Sequence, residues 1–417
     1  MCHRLTKGYF DNNSTTHVPK KILAVYLKWV NCGNASNTNH APGRASAKII
    51  ADSKSNIAKH LAVSPDEIYF TACASEANNI ILQGITHHTS NKKVHITCSS
   101  VEHKCVLKTC EELATCNKKN VVFSVIPANE YGEITVSAVK SQIRNNTILV
   151  SVMYANNEIG NVNDIKGIGM LIKNINKSRP ADRKIHFHVD AVAAIGRRVI
   201  HPKKMFVHSM SISAHKFHGV KGVGMLYISK DTIQNVQPLT YGGGQGHVRS
   251  GTDNTPAIAT MSAALTEVQK NRARKNIILN NKRNSILRSL RIGLTGTDYT
   301  FYVYGPPPKQ HKHIESTILI TFIHKNKRLD VCNKKLVSYL DKHGISVSIG
   351  SSCNTKDPKA SHVLYAIGAG DSHQKKSGTI RITMSDYTKL TEIHSLTTVI
   401  SRYFHQPSKN ILKEHSN

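Results

Sequence analysis

Short apolar runs alternate with segments of helical periodicity from the N-terminal part of the chain to about residue 255. Five runs rich in valine, isoleucine and threonine predict strands: KKVHITCSS, VVFSVIPAN, TILVSVMYA, KIHFHVDAV and SMSISAHK. Next to them, SEANNIILQGITHH and HKCVLKTCEELATC carry apolar residues at helical spacing. Strands that alternate with helices form a mostly parallel sheet covered on both faces. Residues 15–255 are therefore predicted to form one large α/β domain.

The pattern changes at residue 256. The stretch AIATMSAALTEVQKNRARKNIILNNKRNSILRSLRIGL predicts a long basic amphipathic helix, and YVYGPPPKQHKH predicts an exposed proline-rich loop. The runs STILITFI, CNKKLVSYLDKHG, ISVSIGSSCNT and GTIRITMSD follow as a mixture of strands and helix. Residues 256–417, together with 1–14, are predicted to form a smaller α+β domain.

The composition indicates a globular protein and gives no sign of a membrane anchor. Of the 417 residues, 39% are hydrophobic, and no apolar run approaches the roughly 18 residues that a membrane span needs. The opening MCHRLTKGYF is too polar for a cleavable leader, so a cytoplasmic location is expected. Nine cysteines, an odd number without a C-x-x-C pair, favour reduced thiols over a disulfide framework.

The chain is strongly basic. Its 56 Lys+Arg residues against 26 Asp+Glu give a net charge of +30 with histidine neutral, which attracts acidic or phosphate-rich partners. The basic residues are spread along the chain without the interleaved aromatic residues of single-strand binders, which favours a solvated surface over a dedicated nucleic-acid site. Four clustered cysteines, Cys98, Cys105, Cys110 and Cys116, have irregular spacing that favours buried thiols over zinc ligands.

Polar side chains follow several of the predicted strands where the strands end. They are Asn156, Asn157 and Glu158 after one strand, Asp190 at the end of another, and Ser213, His215 and Lys216 after a third. In an open α/β sheet such residues meet at the carboxyl edge, where ligands bind. A lysine, a carboxylate and hydroxyls at one edge suit pyridoxal phosphate, which needs a Schiff-base amine, a partner for its ring nitrogen and a phosphate site. The run FTACASEANN adds a strand end, small residues and a helix N-terminus for the phosphate.

Ten ordered motifs resemble those of one enzyme family. They are YFDNNSTTHVP, GNASNTNH, FTACASEANN, SSVEHK, YANNEIG, HVDA, SAHKFHGVKGVGMLY, GGGQGHVRSGT, GSSCNT and TIRITMSD, and they run from about residue 9 to about residue 395. The chain resembles the NifS/IscS-like cysteine desulfurases, which are fold-type I pyridoxal phosphate enzymes of the class V aminotransferase group. The resemblance implies an α/β fold with a mostly parallel, seven-stranded sheet in the large domain and a smaller α+β domain.

The resemblance also implies roles in cofactor binding. Lys216 would hold pyridoxal phosphate as a Schiff base, Asp190 would face the ring nitrogen, and His103 would stack on the ring and move protons. Asn157 would reach the ring hydroxyl and the substrate. The phosphate would be held by Ala74, Ser75, Ser213 and His215, joined by Thr252 from the partner subunit, so that the active unit is a homodimer.

Arg381 and Cys353 are the positions that the resemblance assigns to the substrate. Arg381 would bind the carboxylate of L-cysteine, a bidentate task that suits the guanidinium group. Cys353 lies in SIGSSCNTKDPKAS, which has no apolar periodicity, and neighbouring Lys356 and Lys359 favour its thiolate. The family pattern implies that Cys353 takes sulfur from L-cysteine as a persulfide, releases L-alanine, and passes the sulfur to an acceptor protein of iron–sulfur cluster assembly or tRNA thiolation.

Two departures from the family pattern bear on function. Ala193 stands where the family usually has a glutamine that bonds the ring hydroxyl, and the segment between GGG and RSGT is one residue shorter and lacks an acidic residue. Two alternatives to a desulfurase therefore remain open. One is another class V enzyme, either an aminotransferase or a selenocysteine lyase. The other is a degenerate homologue that acts as a basic scaffold for an acidic partner or RNA.

Overall fold

The computed structural model describes residues 7–88, 93–116, 120–246, 248–307, 312–326, 331–349, 361–369, 378–407 and 410–411. Its strands are, in chain order, β1 Gly8–Tyr9, β2 Ile68–Thr71, β3 Val94–Ser99, β4 Val121–Ile126, β5 Thr147–Ser151, β6 His186–Asp190, β7 Ser209–Ser213, β8 Gly224–Ile228, β9 Gly244–Gln245, β10 Arg249–Ser250, β11 Tyr299–Tyr304, β12 Thr317–His324, β13 Ile345–Ser346, β14 Ser348–Ile349 and β15 Gly378–Thr383. Its α-helices are α1 Lys20–Trp29, α2 Ala41–Leu61, α3 Ala74–His88, α4 Lys104–Cys116, α5 Val136–Gln142, α6 Ile165–Asn176, α7 Thr255–Gln269, α8 Arg272–Gly293, α9 Asn333–Lys342, α10 His362–Ala366 and α11 Leu390–Phe404.

A seven-stranded sheet with the order β2-β8-β7-β6-β5-β3-β4 forms the centre of the larger unit. The pairs β4–β3, β3–β5, β5–β6 and β6–β7 are parallel, whereas β8 is antiparallel to both of its neighbours. Helices α3 and α4 pack on one face in an apolar cluster, and α2, α6 and α7 pack in a second cluster on the other face. The predicted α/β fold with a mostly parallel, seven-stranded sheet is confirmed.

The smaller unit is built on a four-stranded antiparallel sheet with the order β11-β12-β15-β14. Helices α8, α9 and α11 contribute to its separate apolar core. The N-terminal strand β1 pairs with β13 of this unit, and Phe10 is buried in the same core. The chain therefore enters the smaller unit first and returns to it after α7.

Two neighbouring arginines join the units. Arg197, which follows β6, donates to Asp386 after β15 at 2.5 Å, and Arg198 donates to Glu315 before β12 at 3.0 Å. Both arginine side chains are largely buried, with exposed fractions of 14% and 16%. These buried ion pairs fix the smaller sheet against the carboxyl edge of the larger one, which is where the polar strand-end residues lie.

The long helix predicted from residue 256 is two helices. Helix α7 ends at Gln269, and α8 begins at Arg272 after Asn271, whose φ of 55° lies in the left-handed region that asparagine tolerates. Buried residues of α7 belong to the core of the larger unit. Helix α7 therefore packs with the larger unit, and the domain boundary at residue 255 stays a prediction. Among the described helices, none combines the length and apolar character needed to cross a bilayer.

Candidate active site

A cavity of about 350 Å³ lies where the carboxyl edge of the large sheet faces the smaller unit. Nine of the residues predicted for the site line it: Ala74, Ser75, His103, Asn157, Asp190, Ser213, His215, Lys216 and Arg381. Segments far apart in sequence reach the cavity because parallel strands end at the same edge. Thr252 is exposed and is absent from the described lining, and Cys353 lies outside the described residues.

Lys216 ends a short 3₁₀ turn, Ala214–Lys216, that directly follows strand β7. Its Nζ donates to the backbone oxygens of Asn13 and Ser14, at 2.6 and 2.9 Å. In the same loop, the backbone nitrogen and Oγ1 of Thr16 both donate to the backbone oxygen of His215 at 2.9 Å. The lysine is therefore half-buried and held against the N-terminal polar segment DNNSTT, to which the sequence interpretation assigned no role.

Asp190 ends the central strand β6 and is only 4% exposed. Its Oδ1 accepts from the backbone N–H of Val192, and its Oδ2 accepts from Nδ2 of Asn78, both at 3.0 Å. Oδ1 of Asn78 lies 2.9 Å from Nε2 of His188, which must donate because the amide nitrogen faces Asp190. Burial lowers the pKa of His188 to about 3, so this histidine is neutral and supports the amide by hydrogen bonding. Asn78, supported by His188, therefore fixes the orientation of the Asp190 carboxylate.

The residues predicted to bind a phosphate include the first turn of α3. Ala74 and Ser75 begin this 15-residue helix, whose N-terminal N–H groups favour an anion. Oγ of Ser213 is buried and has no hydrogen-bond partner in the described part of the chain. Burial, with smaller effects of Lys216 and Lys221, lowers the pKa of His215 to about 4, which leaves a neutral imidazole.

His103 lies in the loop between β3 and α4, half-buried at the cavity wall. Its Nδ1 accepts from the backbone N–H of Cys105 at 3.2 Å and is 3.0 Å from the Cys105 sulfur. In the neutral ring the proton is therefore on Nε2. Glu102, beside it, is completely buried, and burial raises its pKa to about 8, while its Oε1 accepts from Ser99 and from the backbone of Met153.

Arg381 reaches the cavity from strand β15 of the smaller unit and is 1% exposed. Its Nη2 donates to Oδ1 of Asp11 and to Oγ of Ser14, both at 2.9 Å, and its Nη1 donates to the backbone oxygen of Asn157 at 3.3 Å. Its Nε has no partner among the described residues. Arg381 lines the cavity, and the charge and planar shape of its guanidinium group suit the binding of a carboxylate.

Glu158 connects the site to the segment that follows Cys353. Its Oε2 accepts from Oγ of Ser361 at 2.5 Å, and Ser361 caps helix α10. Nε2 of His362 lies 2.8 Å from the backbone oxygen of Glu102. These contacts fix the chain at Ser361 and His362, eight and nine residues after Cys353.

Several site residues were missed by the sequence interpretation: Asp11, Asn13, Ser14, Asn78 and Glu102. The polar run DNNSTT directly after β1 is the signal that could have indicated the first three. Asn78 and Glu102 gave no comparable signal, because an asparagine inside a helix and a glutamate in a loop are usually exposed.

The cavity fits pyridoxal phosphate in the chemistry of its groups. It offers an amine on Lys216, a buried carboxylate on Asp190, and an unpartnered hydroxyl on Ser213 beside a helix N-terminus. Ala193, at the position of the usual glutamine, also lines it. The described residues contain no group of three or more histidine, cysteine or acidic side chains arranged to hold a metal ion.

Comparisons with known proteins agree with this geometry. The family model described as Aminotransferase class-V matches residues 8–396. A cysteine desulfurase IscS of Clostridium botulinum is 32% identical over 379 residues, which cover 90% of this chain and 89% of the relative. A solved NifS-like protein is similar with a TM-score of 0.82 and 29% identity, covering 95% of this chain and 98% of that one. A structure described as SspA in complex with cysteine has a TM-score of 0.73 and 28% identity, covering 92% and 100%.

Proposed function

This chain belongs to the class V aminotransferase family, and we propose that it is a pyridoxal phosphate-dependent cysteine desulfurase of the NifS/IscS-like group. The observation that carries the proposal is one cavity that holds Lys216, Asp190 and Arg381 together with the unpartnered hydroxyl of Ser213. This set supplies an amine, a ring-nitrogen partner, a carboxylate-binding group and a phosphate-binding group.

Pyridoxal phosphate, when bound, supplies an electron-accepting ring that makes bonds at the substrate α-carbon and β-carbon breakable. Lys216 would hold it covalently, and Ala74, Ser75, Ser213 and His215 would hold its phosphate. Asp190 would keep the ring nitrogen protonated, and Asn78 keeps that carboxylate in place. Where the usual glutamine is replaced by Ala193, one hydrogen bond is absent, a loss on the order of 1 kcal/mol.

The substrate would be held by the chain's own polar groups. Arg381 would bind the carboxylate of L-cysteine, and the side chain of Asn157 would lie between substrate and cofactor. His103, with Nδ1 held by the backbone of Cys105, would present Nε2 to the ring and exchange protons with the substrate.

Sulfur transfer would occur at Cys353. The Cys353 thiol takes the sulfur of L-cysteine as a persulfide, the carbon–sulfur bond of the substrate breaks, and the carbon receives a proton to give L-alanine. Atoms balance in this step, because L-cysteine and a thiol become L-alanine and a persulfide. An acceptor protein of iron–sulfur assembly or tRNA thiolation would then take the outer sulfur.

The active unit would be a homodimer in which Thr252 of one subunit completes the phosphate site of the other. The net charge of +30 would favour an acidic acceptor protein, or RNA, over a basic one. Affinity for such a partner should fall as salt rises, since screening weakens contacts between opposite charges. If the affinity does not change with salt concentration, the net charge does not explain partner binding.

The proposal is tested by absorption spectra with and without L-cysteine, together with assays of sulfide and alanine. The wild-type protein should show the visible band of the bound cofactor, and Lys216→Ala should lose it. Cys353→Ala should keep the band but lose production of sulfide and alanine. Cys116→Ala, which removes an exposed thiol at the end of α4, is the matched control and should behave as wild type.

Two outcomes would favour the other functions. Retained turnover in Cys353→Ala would favour another class V enzyme, such as an aminotransferase or a selenocysteine lyase. A protein that binds no pyridoxal phosphate when the cofactor is added would favour a basic binding protein, and its salt-dependent affinity for RNA would then be the measurement to make.

A further inference from the structure

The guanidinium of Arg381, the carboxylate of Asp11 and the hydroxyl of Ser14 form a closed ring of hydrogen bonds. Nη2 of Arg381 donates to Oδ1 of Asp11 and to Oγ of Ser14, both at 2.9 Å. Oγ of Ser14 donates in turn to the same Oδ1 at 2.8 Å. Nη2 therefore already has two acceptors inside the protein.

This ring limits how a substrate carboxylate can bind. A guanidinium group offers two bidentate edges, one formed by Nε and Nη2 and the other by Nη1 and Nη2. Each edge includes Nη2, whereas Nε has no partner within the described residues and Nη1 makes a long contact with the backbone of Asn157. A carboxylate that binds either edge in bidentate fashion therefore shares Nη2 with Asp11 and Ser14 or displaces one of them.

Ser14 is the group that can leave at low cost. Asp11 forms an ion pair with the buried Arg381, and removing a carboxylate from a buried guanidinium is costly. The Ser14 hydroxyl is neutral and changes its direction by rotation about one bond. When it leaves Nη2, its O–H turns from Oδ1 of Asp11 to the incoming carboxylate. The two hydrogen bonds lost, from Nη2 to Ser14 and from Ser14 to Asp11, are then replaced by bonds from Nη2 and from Ser14 to the carboxylate.

We infer that Ser14 is a specificity-determining residue for the α-carboxylate of the substrate. It orients Arg381 in the absence of substrate and becomes an additional donor to the carboxylate when substrate binds. The inference rests on the proposed role of Arg381. The backbone oxygen of Ser14 also accepts from Nζ of Lys216, so the same residue contacts the groups assigned to the carboxylate and to the reacting amine.

The test uses two ligands that differ only in the carboxylate. L-alanine carries it and ethylamine lacks it, and the dissociation constant of each is measured with the cofactor-loaded enzyme by titration of the visible spectrum. The variants are Ser14→Ala, Arg381→Lys, and Ser285→Ala as a control on the exposed face of α8. Ser14→Ala should raise the dissociation constant of L-alanine about tenfold, as expected for a hydrogen bond to a charged group, and change that of ethylamine less than about twofold.

With L-cysteine as substrate, KM of Ser14→Ala should rise about tenfold, with kcat within about twofold of wild type. Equal changes for L-alanine and ethylamine, or no change for either, would overturn the inference, since the effect would then be independent of the carboxylate. If Arg381→Lys leaves the affinity for L-alanine unchanged, Arg381 does not bind the carboxylate. The proposed role of Arg381 is then wrong, whatever the effect of Ser14→Ala on affinity.

Discussion

The buried carboxyl of Glu158 should make the protein less stable as pH rises. Glu158 is 7% exposed, and burial raises its pKa from 4.5 to about 7, against the opposing effects of Ser361 and Arg381. The folded chain therefore retains a proton at a pH where the unfolded chain has lost it. Stability falls as pH rises from about 4.5, and the full loss is present above about pH 7. A shift from 4.5 to about 7 corresponds to about 3 kcal/mol.

The substitution Glu158→Gln tests the expected loss of stability of about 3 kcal/mol. The glutamine oxygen can still accept from Ser361 but cannot ionise, so the variant should be about 3 kcal/mol more stable than wild type at about pH 8.5. At about pH 4, where wild-type Glu158 is neutral, the two proteins should be within about 1 kcal/mol. The measurement is urea unfolding followed by circular dichroism, with the difference in unfolding free energy plotted against pH.

The matched control is Glu130→Gln, which changes an exposed glutamate and should alter stability by no more than about 0.5 kcal/mol. A difference between Glu158→Gln and wild type that is the same at both pH values would refute the reasoning, because only ionisation gives it a pH dependence. A variant that is less stable at every pH would indicate that the second carboxylate oxygen has an essential partner.

Three further substitutions test the support of the site and the core. Asn78→Ala should weaken binding of pyridoxal phosphate roughly tenfold, measured by cofactor titration, because Oδ2 of buried Asp190 loses its donor. Asp386→Asn should lower the free energy of unfolding by about 3 kcal/mol in urea, since Arg197 would remain buried without its charged partner. Ile212→Ala, in β7 and 1% exposed, should lower the free energy of unfolding by about 3 kcal/mol in the same measurement. A decrease of less than about 1 kcal/mol would show that neighbouring side chains move to fill the space.

Five of the seven strands of the large sheet, β3 to β7, were predictable because each is a local pattern. β6, the run HFHVD, is buried along its whole length, and so are its neighbours β5 and β7. Residues at their ends could be expected to share one edge because parallel strands run in the same direction. This is why Asp190 and Lys216 could be assigned to one site without coordinates.

The contacts that orient the site were not predictable in the same way. Asn78 is 112 residues from Asp190, and Ser14 is 367 residues from Arg381, so no local period connects them. The break between α7 and α8 was missed for another reason. No proline or glycine marks it in the sequence, and one residue, Asn271, turns the chain.

Two buried carboxyls near His103 keep their protons to a higher pH than an exposed glutamate does. Glu102 and Glu158 both interact electrostatically with His103, and burial raises their pKa values to about 8 and about 7. Glu158, which also interacts with Arg381, therefore carries less than a full negative charge near neutral pH. If Glu158 were fully ionised, its charge would oppose the proposed binding of a substrate carboxylate by this arginine. The stability that is lost as pH rises to about 7 follows from the same burial of Glu158.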